Sequence, residues 1–144
     1  MTINQSTNRA AINWNTFNVG SGATVNFVQP STSSVTLNRV SDPNPSQIFG
    51  HINANGSVFL LNGSGAYFAP GSSVNVGAFL TTTHSISDAD FMAGNNRFTR
   101  NGATGAIINE GDINAALGGY VALLAPEVRN HGVIVAQLGT VGGG

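Results

Sequence analysis

The chain has 144 residues, a length that suits a single domain spanning residues 1–144. Only 8% of the residues are charged, and polarity comes from 18 Asn, 13 Ser and 12 Thr beside 19 Gly, a mixture that disfavours an all-α bundle. The net charge of −1 and five scattered Arg argue against a nucleic-acid partner, and the longest apolar stretch, residues 120–125, is too short to span a membrane as a helix.

Short apolar runs between turn residues predict a chain made of strands. A strand-like arm at residues 2–5 comes first, and several of the later candidates alternate apolar and polar residues, as half-buried strands do. The twelve candidates are residues 12–17, 24–28, 35–40, 57–61, 66–68, 73–76, 79–82, 97–99, 106–108, 112–115, 120–124 and 133–137. One helical turn is predicted at residues 87–93, where Ser87 can cap and Asp88 and Asp90 suit a helix N-terminus.

An internal repeat in the C-terminal half indicates how these strands are arranged. The sequence NEGDI at residues 109–113 is echoed 21 positions later by NHGVI at residues 130–134. A turn that recurs about every 20 residues is typical of a parallel β-solenoid. We therefore expect Asn109 to stack on Asn130, Gly111 on Gly132 and Ile113 on Ile134, with the isoleucines facing inward.

The sequence resembles the N-terminal secretion domain of filamentous-haemagglutinin-like exoproteins, the passengers of bacterial two-partner secretion. The resemblance runs in order through almost the whole chain and is carried by INWNTFNVG (12–20), LNRV (37–40), NPSQI (44–48), INANG (52–56), VFLLN (58–62) and VIVAQLG (133–139). It implies an all-β, right-handed parallel β-helix with rungs of about 20 residues and a small β cap. We expect the cap and first strands in residues 1–40 and the rungs in residues 41–144.

The resemblance also implies a partner, the outer-membrane transporter of the two-partner pathway, and a secreted or cell-surface location. Family members begin with a leader, which is absent from this sequence. They usually carry Asn-Pro-Asn-Gly where this chain has Asn62-Gly63-Ser64-Gly65, so the rigidity of Pro is lost at this turn. The residues expected to recognise the partner are Asn62, Gly63, Ser64 and Gly65, with Asn44, Pro45 and Ser46.

Other patterns suggest chemistry, and each has a simpler structural interpretation. Glu110 and Asp112 would share one face of an extended chain, and paired carboxylates can hydrolyse polysaccharides. The sequence from His84 to Asp90 contains possible metal ligands but is also explained by a loop that enters a helical turn. We expect no enzyme activity, metal or cofactor. Aromatic residues at alternating strand positions are expected in the core rather than on a carbohydrate-binding face: Trp14, Phe17, Phe27, Phe59, Tyr67, Phe68 and Phe79.

Two functions remain open from the sequence. The first is a non-enzymatic secreted module that directs the export of an adhesin and nucleates its folding. The alternative is a structural subunit that stacks head to tail into an extracellular filament, because a solenoid end without a cap exposes unpaired backbone groups. The residues expected at the stacking ends are Thr2, Ile3, Asn4, Val133, Val135 and Gln137, with Val135 facing inward and a flexible Gly tail after the last rung.

Overall fold

The computed structural model describes residues 1–136 and, for their backbone alone, residues 140–143. Over these residues, the fold is an all-β solenoid of about six turns with one short helix, α1, at Asp88–Met92. The strands are β1 Thr2–Asn4, β2 Arg9–Trp14, β3 Thr24–Val28, β4 Val35–Val40, β5 Ser46–Ile48, β6 His51–Ala54, β7 Ser57–Asn62, β8 Gly65–Phe68, β9 Ser73–Val76, β10 Ala78–Thr82, β11 Ala106–Asn109, β12 Asp112–Ala115, β13 Tyr120–Leu124, β14 Glu127–Asn130, β15 Val133–Ala136 and β16 Thr140–Gly143.

The strands form three parallel sheets that run along the solenoid. The first sheet has the order β1-β3-β6-β9-β12-β15, the second β2-β4-β7-β10-β13-β16, and the third β5-β8-β11-β14. Each neighbour within a sheet comes from the next turn of the coil, and the strand pairs are parallel. The predicted β-solenoid is therefore confirmed.

The predicted repeat is also confirmed at the level of individual residues. Asn109 is the register partner of Asn130 on β11 and β14, and Ile113 is the partner of Ile134 on β12 and β15. The Asn109 side-chain amide donates a hydrogen bond to Asn130 Oδ1 at 3.0 Å, so the two amides form a ladder across adjacent turns. A Cβ atom at Gly132 would collide with the backbone oxygen of Gly111, which explains why this stacked corner contains glycine.

The core fills the inside of the coil with apolar residues from all three sheets. Ile52, Val74 and Ile113 contribute from the first sheet, and Phe68 packs edge to face against Phe79, with ring centroids 5.8 Å apart. The aromatic residues expected in the core do not all lie inside the coil, and two of them need correction. Phe59 lies in a second cluster outside the coil, and Tyr67 is partly exposed and packs against Phe49.

The second cluster lies on the outer face of the second sheet. Leu37, Phe59 and Leu80 form an apolar row there because they are register partners on β4, β7 and β10. The segment of residues 83–104, called here the covering segment, lies over this row and inserts the buried ring of Phe91 from α1. Ser87 caps α1 as predicted, since its Oγ accepts a hydrogen bond from the Asp90 N–H at 3.1 Å.

Several predicted elements near the covering segment and the N-terminus need correction. The predicted strand at residues 97–99 is wrong, because these residues are irregular and Thr99 forms one isolated antiparallel bridge with Ser85. The strand predicted at residues 12–17 lies instead at Arg9–Trp14. Strands β5, β6 and β14 were not predicted because they are short, and β14 is mostly exposed and polar.

The prediction that Val135 faces inward is wrong. Val135 is the register partner of Asn114, which belongs to the outward row of the first sheet, and its side chain is 39% exposed. Ile134 and Ala136 pack against the core instead. The predicted flexible tail is wrong in part, because Thr140–Gly143 forms β16 and pairs with β13. Gln137 lies outside the described residues.

Candidate functional site

The two segments predicted to recognise a partner meet at one corner of the solenoid. Residues 42–46 and 62–65, called here the Asn corner, connect the second sheet to the third on successive turns. The Asn62 side chain is buried, and its amide donates to the Asn44 carbonyl oxygen at 3.2 Å and to Ser46 Oγ at 3.0 Å. Segments separated by about one turn of sequence are therefore joined through one side chain.

Further hydrogen bonds order the two turns of the Asn corner. Asn62 Oδ1 accepts from the Ser64 backbone N–H at 2.9 Å, and Ser64 Oγ donates to the Asp42 carbonyl oxygen at 2.8 Å. The Asp42 side chain in turn accepts from the Asn44 N–H at 2.9 Å. Asx turns of this kind fix the backbone without proline, so side-chain hydrogen bonds compensate for the absence of Pro after Asn62.

The seven predicted recognition residues divide into a buried set and an accessible set. Asn62, Gly65 and Ser46 are buried and hold the corner together. Gly65 has φ +108°, and a Cβ there would collide with the backbone of Ala106, so the position requires glycine. The accessible residues are Gly63, Asn44, Pro45 and the half-buried Ser64. A Cβ at Gly63 would meet its nearest neighbour, the Thr83 oxygen, only at 3.9 Å, so this position is open.

A cavity beside the Asn corner was not predicted from the sequence. It has a volume of about 170 Å³, and Gly63, Arg39, His84 and Arg100 are among the residues that line it. Arg39 and Arg100 are far apart in the sequence and belong to no shared motif, so the fold alone brings them together.

The predicted carboxylate pair does not have the expected geometry. Glu110 follows β11 of the third sheet and Asp112 begins β12 of the first, with a bend at Gly111 between them. Glu110 accepts a hydrogen bond from the Tyr67 hydroxyl, which raises the pKa of that phenol above its ordinary value, with a smaller contribution from desolvation. Glu110 is therefore engaged with Tyr67 on the outside of the coil.

Several of the residues considered for metal or carbohydrate binding make structural contacts. Asp88 forms an ion pair with Arg39 Nη1 at 2.7 Å, and across the described residues no cluster of three His, Asp or Glu side chains could hold a metal ion. Phe17 and Phe27 are buried in the core, as expected. Trp14 packs edge to face on Phe17 and donates its indole N–H to Asn38 at 3.0 Å.

Among the residues predicted for the stacking ends, those that the structure describes lie on the two outer strands of the first sheet. Thr2, Ile3 and Asn4 form β1, which pairs with β3, while Val133 and Val135 lie on β15 at the opposite edge. Val133 and Val135 are both exposed on the outer face. Among the described residues, no helix is both long and apolar enough to cross a membrane.

Comparison with known proteins places this geometry among secretion domains. The family model described as "TPS secretion domain" matches residues 1–144. One heme/hemopexin-binding protein of Haemophilus influenzae (strain Rd) is 34% identical over 142 residues, which cover 94% of this chain and 16% of the relative. Another from Haemophilus influenzae is 36% identical over 111 residues, or 77% of this chain and 12% of the relative.

A solved structure agrees with the fold. The crystal structure of the HMW1 secretion domain from Haemophilus influenzae superposes with a TM-score of 0.83 at 33% identity, covering 89% of this chain and 37% of that chain. The chain thus spans well under half the length of the proteins that it matches.

Proposed function

The chain belongs to the TPS secretion domain family, and on this basis we propose that it directs export by presenting the Asn corner to an outer-membrane transporter. TPS domains are parts of secreted exoproteins and work with an outer-membrane transporter of the two-partner pathway. The chain would accordingly act as a non-enzymatic module at the bacterial surface or outside the cell.

The single observation that carries this proposal is the construction of the Asn corner. The buried amide of Asn62 holds both turns, so the exposed Asn44, Pro45 and Gly63 have a fixed position. A surface that is ordered before binding loses less conformational entropy when a partner docks. The corner therefore offers a polar surface that is ordered before a partner binds.

The solenoid also supports a role in folding the exoprotein. Each turn adds one strand to an existing edge of each sheet, and the contacts are almost all between neighbouring turns. Repeats of this kind can fold by propagation from an ordered end. The domain would then serve as the template on which later turns of an adhesin assemble.

The recognition proposal is tested by a glycine that has room for a side chain. Gly63→Gln introduces a side chain on the exposed surface of the Asn corner, and we expect it to weaken binding to the transporter's purified periplasmic domains about tenfold. Gly22→Gln is the matched control, because Gly22 is also exposed with no atom near its Cβ position, on a different loop. Equal binding by both variants would argue against the Asn corner as the recognition surface.

A second candidate function is head-to-tail stacking into a filament. The supporting observation is that β1 and β15 are the two edges of the same six-stranded sheet, so a stacked copy could continue that sheet with parallel pairing. Such an interface is heterologous and does not close, and the net charge of −1 provides little repulsion. Electron microscopy of the purified chain at high concentration would show filaments, whereas discrete particles of one size would contradict the stacking.

A further inference from the structure

The cavity beside the Asn corner concentrates positive charge in a chain that has little of it. Two of the five Arg, Arg39 and Arg100, line this cavity, although only 8% of the residues are charged. Of the ten residues that line it, none is acidic.

Arg100 carries the part of this charge that is not neutralised. Among the described residues, the ion pairs are Arg39 with Asp88 and Arg129 with Glu127, so no acid contacts Arg100. Its Nε donates to the Ala103 carbonyl oxygen at 3.1 Å, across a turn in which the Ala103 N–H donates back to the Arg100 carbonyl oxygen. The guanidinium is therefore held by its own turn while its remaining N–H groups stay available.

The cavity is joined to the Asn corner rather than separate from it. Gly63, the open residue of the corner, belongs to its wall. Directly after the covering segment, Gly105 packs so closely on the backbone of Ser64 and Gly65 that a Cβ there would collide. A partner that contacts Gly63 on the corner would consequently also reach the wall of the cavity.

The remaining lining indicates what kind of group would fit. Val40, Leu61 and Ala103 provide apolar wall, while the Thr83 hydroxyl is buried and has no hydrogen-bond partner within the described residues. A volume of about 170 Å³ is well above the roughly 10–15 Å³ that a single water needs, and it leaves room for one side chain of moderate size. Apolar wall beside a guanidinium suits a carboxylate on a short aliphatic stem better than a free inorganic anion.

Building on the proposed function, we propose that this cavity receives an acidic side chain, Glu or Asp, of the transporter's periplasmic domains. The carboxylate accepts hydrogen bonds from the Arg100 guanidinium, and its methylene groups contact Leu61 and Val40. Arg39, whose charge is paired with Asp88, holds the covering segment beside the cavity through its bond to the Ile86 carbonyl oxygen at 2.7 Å.

The test compares charge changes at Arg100 and at a neighbouring arginine. Binding of the purified chain to the transporter's periplasmic domains is measured by calorimetry at low and at moderate salt. We expect Arg100→Gln to weaken binding about tenfold at low salt and to reduce its dependence on salt. Arg97→Gln should leave binding unchanged, because Arg97 is exposed on the same segment but does not line the cavity.

A second variant separates charge from structure. Arg100→Lys removes the Nε bond to Ala103 just as Arg100→Gln does, but it keeps the positive charge. Binding by the Lys variant that is weaker than the parent's but clearly tighter than that of the Gln variant supports a carboxylate partner, because Lys keeps the charge while losing the planar pair of donors. Equal losses in the Lys and Gln variants would indicate that Arg100 only shapes the turn, and the inference would be overturned.

Two further outcomes are decisive. If the parent chain does not bind the periplasmic domains, the proposed function fails as a whole. If it binds and the Arg100 and Arg97 variants bind equally well, only the cavity inference fails.

A titration of sulfate into the chain, followed by NMR of the arginine Nε–H signals, tests for a free-anion site. If sulfate binding requires Arg100 while transporter binding does not, the cavity is a free-anion site and the docking role is refuted.

Discussion

Replacing Asn62 with Ala removes the side chain that joins the two turns of the Asn corner. Asn62 is 2% exposed, and its amide makes three hydrogen bonds, two donated to residues 44 and 46 and one accepted from Ser64. In the Asn62→Ala variant these bonds would be lost, and their partners would remain in a partly buried position. The variant therefore tests whether Asn62 organises the corner or merely occupies it.

The size of the effect follows from the number of hydrogen bonds. Each contributes about 1 kcal/mol to the free energy of unfolding, so their combined loss should cost about 3 kcal/mol. For a chain of this length, that corresponds to a fall in Tm of about 6–12 °C. Ser64→Ala is the matched control, because it removes one side-chain bond, to the Asp42 carbonyl oxygen, and should cost about 1 kcal/mol.

Urea unfolding followed by far-ultraviolet circular dichroism measures both changes, since loss of the parallel sheets reports global unfolding. Because Asn44 and Pro45 would lose their fixed position, transporter binding by Asn62→Ala should also weaken at temperatures where the coil remains folded. If Asn62→Ala destabilises the chain no more than Ser64→Ala does, Asn62 is not the hub of the corner and the reasoning is refuted.

Two other predictions follow from the register and the pKa shift. Ile134→Asp should lower the free energy of unfolding by about 2–4 kcal/mol because it places a charge against the core. Val135→Asp should change it by less than about 0.5 kcal/mol, because Val135 is exposed. If urea unfolding shows the Val135 variant to be the less stable of the two, the register is contradicted. The pKa of Tyr67 is raised in the folded chain, so its contribution to stability is complete below the ordinary pKa of a phenol and is lost as pH rises through the folded pKa. Glu110→Gln should lower the pKa of Tyr67, measured by absorbance titration of the phenol. An unchanged pKa would exclude the Tyr67–Glu110 hydrogen bond as the cause of the shift.

The solenoid could be predicted from the sequence because the repeated Asn-x-Gly turn recurs at the spacing of one turn of the coil. The spacing between Asn109 and Asn130 equals one turn of the coil, and the structure pairs these residues in register. Corner chemistry repeats because each corner stacks on the one below, as Gly132 does on Gly111. In such a fold, one repeated turn determines the register of the strands beside it.

Inward and outward directions were harder to predict, because apolar residues occupy both faces of some strands. Val135 is apolar yet lies in the outward row with Asn114, and the alternation of burial in β15 is visible only once its pairing with β12 is known. Phe59 also faces outward, but it is buried because the covering segment lies over it. Hydrophobicity alone cannot distinguish a residue inside a coil from one beneath an inserted segment.

The covering segment links the stability of the coil to the proposed recognition surface. Leu37, Phe59 and Leu80 would expose a continuous apolar row on the second sheet if nothing lay over them, so the fold requires a cover such as the ring of Phe91. The same segment carries Arg100 to the edge of the Asn corner and leads directly into Gly105, which packs on that corner. An insertion needed to shield an apolar face therefore also builds one wall of a basic cavity, and substitutions beneath Phe91 should alter partner binding without touching the corner itself.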